Sequence, residues 1–168
     1  MSLDFYTIDT DYVNYLKKFE KHMWDNKEKG RIRPYAGVVL TIGEHKYYAP
    51  LTSPKPKHEK MKGRIDFVRL EYNKKLTAVL NLNNMIPVVD SLVTPIRIKS
   101  VVDKNYRHLL NAELVDLKRK QGLILKNAKA VYTETTVRRN EPYNKKLVSL
   151  SFDFLLLEQK LKEYLKQD

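Results

Sequence analysis

The feature that most limits what this chain can fold into is a pair of β-prone runs, Tyr35 to Ile42 and His45 to Ala49, separated only by Gly43-Glu44. β-branched and aromatic residues dominate both runs, and so short a connection containing glycine predicts a tight antiparallel hairpin. The rest of the chain has to be arranged around it. Upstream, Phe5-Tyr6-Thr7-Ile8 predicts a short strand, and Asp9-Thr10-Asp11 supplies N-cap candidates for a helix. Tyr12, Tyr15, Leu16 and Phe19 give that helix one apolar face. The charged stretch from Asp25 to Arg33, with Gly30 inside it, predicts an exposed connection. Downstream, the proline- and lysine-rich stretch from Pro50 to Gly63 predicts a loop. Further strands are expected over Ile65–Leu70, Leu76–Leu82 and Val88–Ile98, with a break at Met85-Ile86-Pro87.

The period then changes. Tyr106, Leu109, Leu110, Leu114 and Leu117 follow helical spacing, with Gly122 as the expected stop. Ile124, Ala128, Val131 and Thr135 predict a second helix, and Glu141-Pro142 opens a loop. Ser151 or Asp153 caps a last helix whose stripe is Phe154, Leu157, Leu161 and Tyr164. Strand, helix, several strands and then helices predict an α+β fold with a mostly antiparallel sheet. With no internal repeat and no linker, residues 1–168 are expected to form a single domain.

The net charge of +12 narrows the class of partner. The excess is uneven: residues 51–75 carry 8 basic against 3 acidic side chains, and residues 99–146 carry 12 against 5. Two basic zones on a small domain favour a polyanion, because each neutralised phosphate releases condensed counterions. A lysine-rich solvated surface is the plain alternative. There is no cysteine, which removes disulfides, thiolate metal sites and cysteine nucleophiles together. The first residues lack the basic start and apolar run of a secretion signal, and no stretch reaches the roughly 18 apolar residues of a membrane span. A soluble cytoplasmic protein is therefore expected.

His22, His45, His58 and His108 show no ligand spacing, and Asp4, Asp9 and Asp11 are better read as caps and solvated groups than as a metal site. No glycine lies in a phosphate-loop arrangement. No metal or cofactor is expected. What remains is Thr52-Ser53-Pro54-Lys55, followed by Lys57, His58, Lys60 and Lys62. Alone, hydroxyls and lysines beside prolines describe an exposed turn. Here the turn leaves the end of a strong strand, which gives its hydroxyls a rigid base, and nearby lysines can bring a phosphate to them.

Across Gly37-Val38-Val39-Leu40, His45-Lys46-Tyr47 and Ala49-Pro50-Leu51-Thr52-Ser53-Pro54-Lys55, then Asn81-Leu82 and Met85-Ile86-Pro87-Val88, the chain resembles the ToxN/AbiQ family. These are endoribonuclease toxins of type III toxin–antitoxin and phage-abortive-infection systems. The resemblance covers about the first 90 residues well and the helical half loosely. It implies a compact, strongly bent antiparallel sheet with flanking helices, similar to the barrel-type core of the Kid and MazF toxins. It also implies metal-independent RNA cleavage leaving a 2′,3′-cyclic phosphate. The implied partner is a small tandem-repeat RNA antitoxin folded as pseudoknots, processed by the toxin and then bound in a closed assembly where protein and RNA alternate.

The family's active residues map onto Thr52, Ser53 and Lys55. Its basic residue before the second strand maps onto Arg33, where lysine is expected, and arginine keeps the charge but changes the geometry. Lys55 and Arg33 suit the charge of a phosphorane, and Thr52 and Ser53 suit hydrogen bonds to its oxygens. His58 titrates in the useful range but its part in the reaction stays open. For RNA binding, Tyr35 and Tyr106 are candidates to stack on bases, while Tyr47 is better read as core. Lys46, Lys57, His58, Lys62 and Arg107 are candidates to line the RNA path. Lys118 and Arg119, with Arg138-Arg139, are candidates for antitoxin phosphates. The main alternative is a non-catalytic RNA-binding module on the same basic surface; no recognition-helix signature supports DNA binding.

Overall fold

The computed structural model describes residues 2–59, 61 and 64–167. Lys60 and Lys62 lie outside the described residues. The chain runs through β1 (Asp4–Ile8), α1 (Thr10–Lys17), β2 (Lys27–Glu28), β3 (Arg31–Ile32), β4 (Tyr35–Ile42) and β5 (His45–Thr52). It continues through β6 (Phe67–Tyr72), β7 (Lys75–Asn81), β8 (Ile86–Val88) and β9 (Val93–Pro95). The helices α2 (Lys104–Arg119), α3 (Gln121–Thr135), α4 (Lys145–Leu150) and α5 (Phe154–Leu165) close the chain. The Asp9 carboxylate accepts from the Tyr12 amide, Asp103 from Asn105 and Tyr106, and Asp153 from Leu156. Each such cap is worth about 1 kcal/mol to its helix.

Seven strands make one antiparallel sheet in the order β6-β7-β5-β4-β1-β9, with β8 laid along β5. β4 and β5 form the expected hairpin, Ile42 opposite His45, with Gly43 in the left-handed region at φ +57°. β5 is the hub. One of its edges takes β4, while the other takes β8 along Lys46–Tyr48 and then β7 along Leu51–Thr52. That change of partner falls just before Ser53. Among the described residues no pairing between the outermost strands closes the ladder, so the sheet is not a closed barrel. A Cβ on Gly37 in β4 would stand 2.2 Å from Cδ2 of Tyr48, so close packing of that ring requires glycine there.

The core is continuous from sheet to helices, with Phe5, Tyr12, Leu16, Tyr47, Leu80, Leu110 and Phe154 buried in it. Glu158 of α5 accepts hydrogen bonds from Tyr47 of β5 at 2.5 Å and Tyr132 of α3 at 2.8 Å. This ties three elements together and makes Tyr47 a core residue. Asp116 of α2 accepts from the Glu71 amide at 2.8 Å, and Lys120 donates to the Arg69 carbonyl, which fixes α2 on β6. Among the described residues no helix is long and apolar enough to cross a membrane.

Several boundaries differ from the sequence reading. β5 runs on through Pro50 to Thr52, because β7 pairs with its last two residues and the Leu51 amide still reaches the Pro34 carbonyl at 2.9 Å. Met85-Ile86-Pro87 is no break: Ile86 and Pro87 belong to β8, and the Pro87 carbonyl accepts from Tyr12. Val88 to Ile98 divides into short pieces rather than one strand. Gly122 sits in the first turn of α3, and the stop falls at Lys120. The largest difference is Asp25 to Arg33. It contains the β2–β3 hairpin, turned by Lys29 and Gly30 at φ +54° and +76°.

Candidate active site

The β2–β3 hairpin brings Glu28 against the end of β5. Ser53 donates through its hydroxyl to Glu28 Oε1 at 2.7 Å and through its amide at 3.2 Å. The other carboxylate oxygen accepts from Arg33 Nη1 at 2.6 Å. Burial draws the Glu28 pKa upward, but hydrogen bonds from Ser53 and Arg33 outweigh it and hold the group below the ordinary carboxylate value. Glu28 is therefore ionised at neutral pH, and Ser53 keeps its lone pairs free to accept a hydrogen bond from a ligand.

Arg33 is not the open cation that its sequence position predicts. It is buried, packs on the Trp24 ring at 5.1 Å, and also donates to the Asp25 and Leu51 carbonyls. Glu28 offsets its charge, while its second amino group, Nη2, takes no protein hydrogen bond among the described residues. Thr52 is engaged as well, its hydroxyl accepting from Asn81 Nδ2 at 2.9 Å. Lys55 and Lys57 are exposed, with no carboxylate partner among the described residues. His58 is almost buried. Its Nδ1 accepts the Lys55 amide at 2.8 Å, and its own amide donates to the Lys55 carbonyl at 2.9 Å. Burial first, then Lys57 and Lys55, lowers its pKa. Neutral His58 thus clamps the turn that carries Lys55.

These groups line one cleft of about 450 Å³: Trp24, Glu28, Arg33, Ser53, Lys55 and His58 among them. Two hydrogen-bonding hydroxyls, a buried guanidinium and exposed ammonium groups facing one cavity suit a phosphodiester. Among the described residues no three His, Asp or Glu side chains converge as metal ligands would.

Other sequence-predicted residues fall elsewhere. Tyr35 is packed in the core, and burial pushes its pKa up to about 12, so its ring has no face open to a base. Lys46, near the far end of β5, pairs with Asp90 at 3.2 Å. Arg107 donates to the Val101 carbonyl at 2.9 Å and does not line the cleft. Lys118 and Arg119 stand at the C-terminal end of α2, roughly 20 Å along the helix from Tyr106, and Arg119 pairs with Asp116. Tyr106 stands outside the lining of that cleft and faces an adjoining cavity that shares Glu28 and Ser53 with it, stacked under Arg31 at 4.1 Å while Arg31 pairs with Asp103 at 2.7 Å. These contacts join the hairpin to the start of α2.

Sequence reading missed Glu28 and Glu113. Lys29-Gly30 was a visible turn signal for the hairpin that carries Glu28. Glu113 has no local signal. It lies on α2 at 3% exposure, and burial, with the nearby charge of Glu28, pushes its pKa up to about 8. A carboxyl that ionises near 4.3 when unfolded and near 8 when folded loses stability as pH rises between those values. Glu113→Gln removes that loss. It should stabilise the fold by about 3–5 kcal/mol at pH 9 and far less at pH 5, as urea unfolding at the two pH values will show.

A cationic cleft at the end of an antiparallel sheet, with hydroxyls held in its wall, defines an α+β protein shaped for a phosphodiester. The family described as toxin ToxN of the type III toxin–antitoxin system matches residues 4–162. This chain belongs to that family. It is 32% identical to endoribonuclease ToxN of Bacillus thuringiensis subsp. kurstaki over 98% of this chain and 85% of the relative. It superposes with a TM-score of 0.89, at 32% identity over 99% of this chain and 100% of the other, on a protein solved in work on type III systems and selective toxin inhibition by a non-coding RNA pseudoknot. AbiQ, a lactococcal anti-phage endoribonuclease of a type III system, gives a TM-score of 0.86 at 29% identity over 99% of this chain and 100% of its own.

Proposed function

We propose that this chain is the endoribonuclease toxin of a type III toxin–antitoxin system, cutting cellular or phage RNA in the bacterial cytoplasm by metal-independent transesterification. The observation that carries the reading is the convergence of Ser53, Arg33 and Lys55 on one cleft, with Glu28 holding the first two. The RNA 2′-oxygen attacks the adjacent phosphorus and releases its proton to solvent, the bond to the 5′-oxygen breaks and that oxygen takes up a proton from solvent, and a 2′,3′-cyclic phosphate remains. Ser53, its hydroxyl proton directed to Glu28, accepts a hydrogen bond from the attacking 2′-hydroxyl. Arg33 Nη2 and Lys55 neutralise the phosphorane, and His58 keeps Lys55 in place. Glu28, held below the usual carboxylate range, orients rather than serving as a strong base. Catalysis is chiefly positional and electrostatic.

Its inhibitor is a small repeat RNA folded as pseudoknots, bound in a closed protein–RNA assembly, a partner suited to the +12 charge. Kinship of its bent sheet with the barrel-type core of the Kid and MazF toxins, and action as a single domain over residues 1–168, belong to the same proposal. Incubating the purified protein with RNA in EDTA should yield fragments ending in cyclic phosphate, while DNA, lacking the 2′-hydroxyl, survives. RNA bound but left intact by folded protein would overturn the reading in favour of a non-catalytic RNA-binding module.

A further inference from the structure

Asparagines at the end of β7 and just beyond it line the cleft, and two of them are committed within the fold. Asn81 donates to the Thr52 hydroxyl at 2.9 Å and to the Val79 carbonyl at 3.3 Å, and Asn83 donates to the Leu150 carbonyl at 2.9 Å. Asn84 is different. It is only 9% exposed and lines the cleft, yet its carboxamide makes no hydrogen bond with any described residue. Taking an amide out of bulk water without giving it a partner is costly, and no described neighbour of Asn84 offsets that cost.

The backbone that presents this group is held from several sides. Leu82–Asn84 form a single 3-10 turn that joins β7 to β8, the two strands between which β5 changes partner. The Asp66 carbonyl accepts the amides of Leu82 at 2.9 Å and Asn83 at 3.1 Å, and the Asn83 carbonyl accepts the Phe152 amide at 3.0 Å. Leu82 and Met85, flanking the two asparagines of the turn, are fully buried. A polar group on so fixed a turn has its position set by folding, before any ligand arrives.

We propose that the Asn84 carboxamide donates from Nδ2 to a non-bridging oxygen of the scissile phosphate, a contact that strengthens as the phosphorane forms. The inference rests on the endoribonuclease reading. Non-bridging oxygens of a phosphodiester only accept hydrogen bonds, and the amide nitrogen carries two donors. The cations of the cleft leave a place for it. Arg33 shares its charge with Glu28, and the Lys55 ammonium is exposed at the end of a flexible stem. The phosphorane puts more negative charge on its non-bridging oxygens than the phosphodiester does. A rigid donor aimed at them therefore lowers the barrier more than it tightens substrate binding. Asn84 gives up no proton in the step; its part is electrostatic.

The test is the cutting of one RNA by the full-length protein in EDTA, with urea unfolding measured on the same samples. Asn84→Ala and Asn84→Leu should lower kcat about 100-fold and leave KM within about threefold of wild type. Asn84→Leu, similar in size, should unfold at the wild-type urea midpoint or above it, because no hydrogen bond of the fold is lost. A second measurement replaces each non-bridging oxygen at the cut by sulfur, one diastereomer at a time. Sulfur accepts hydrogen bonds poorly, so wild type should cut at least one diastereomer severalfold more slowly than the unmodified RNA. In Asn84→Ala the penalty at one of the two positions should shrink severalfold. Unchanged kcat in Asn84→Leu, a lowered midpoint that accompanies its lost rate, or wild-type rates indifferent to sulfur at both positions overturns this inference alone. The wild-type sulfur comparison stands even where a variant fails to fold. Wild-type protein that cuts no RNA overturns the endoribonuclease reading together with this one.

Discussion

Glu28→Ala is expected to lose both stability and cleavage. The carboxylate is the partner of a guanidinium whose side chain is only 7% exposed, so removing it leaves buried Arg33 charged and unpaired. Breaking a buried pair costs about 3–5 kcal/mol; with Glu28 itself 28% exposed, about 2–4 kcal/mol is expected in denaturant unfolding at pH 7. Glu28→Gln, which keeps one acceptor for Arg33, should recover part of it. Stability from Glu28 is present above the unfolded carboxylate pKa and is lost as pH falls through its lower folded pKa, so the variant and wild type should converge in acid. RNA cleavage should drop about 100-fold or more, because Ser53 loses its orienting acceptor. Wild-type stability in Glu28→Ala at pH 7 would remove the ion pair from any structural role.

Ser53→Ala and Lys55→Ala should separate the site from the fold. Lys55 is exposed, and among the described residues Ser53 makes its side-chain bond only to Glu28, so both variants should unfold within about 1 kcal/mol of wild type. Each removes one contact to charge that develops in the transition state, which costs about 100- to 1,000-fold in kcat. Both should restore growth to cells poisoned by the free protein and still retain repeat RNA in a binding assay. Undiminished toxicity of either variant would remove that residue from the reaction. His58→Ala is expected to fall between, since it frees the turn without touching the phosphate.

What was legible in the sequence was local. The β4–β5 hairpin, the caps at Asp9 and Asp153, and the stripes of α1, α2, α3 and α5 all rest on interactions within a few residues. Thr52-Ser53-Pro54-Lys55 was legible for a different reason. Its residue types and the family resemblance marked it, while composition alone described an ordinary turn. Asp25 to Arg33 is mostly exposed, as its charge suggested, but the hairpin within it went unread, and so did the burial of Asn26 and Arg33. A charged residue can be drawn inward when its opposite charge pairs with it, as Glu28 does with Arg33, while the Arg31–Asp103 pair stays at the surface. Tyr35 was misassigned because a tyrosine in a strand gives no sign of whether its ring will be covered, and here it is.

The sequence by itself determined the α+β order, the hairpin at the centre of the sheet, the polyanion-seeking charge and the chemical content of the turn after β5. Each follows from periodicity, propensity or composition, which neighbours along the chain suffice to express. Only the tertiary structure decided which side chains meet: that Arg33 is buried and paired, that Glu28 reaches Ser53 across 25 positions, and that Glu113 stands in a cavity beside them. Burial and pairing depend on how β2, β5 and α2 pack together. The ionisation of Glu28 and Glu113 is set by that packing, and no reading of local sequence contains it.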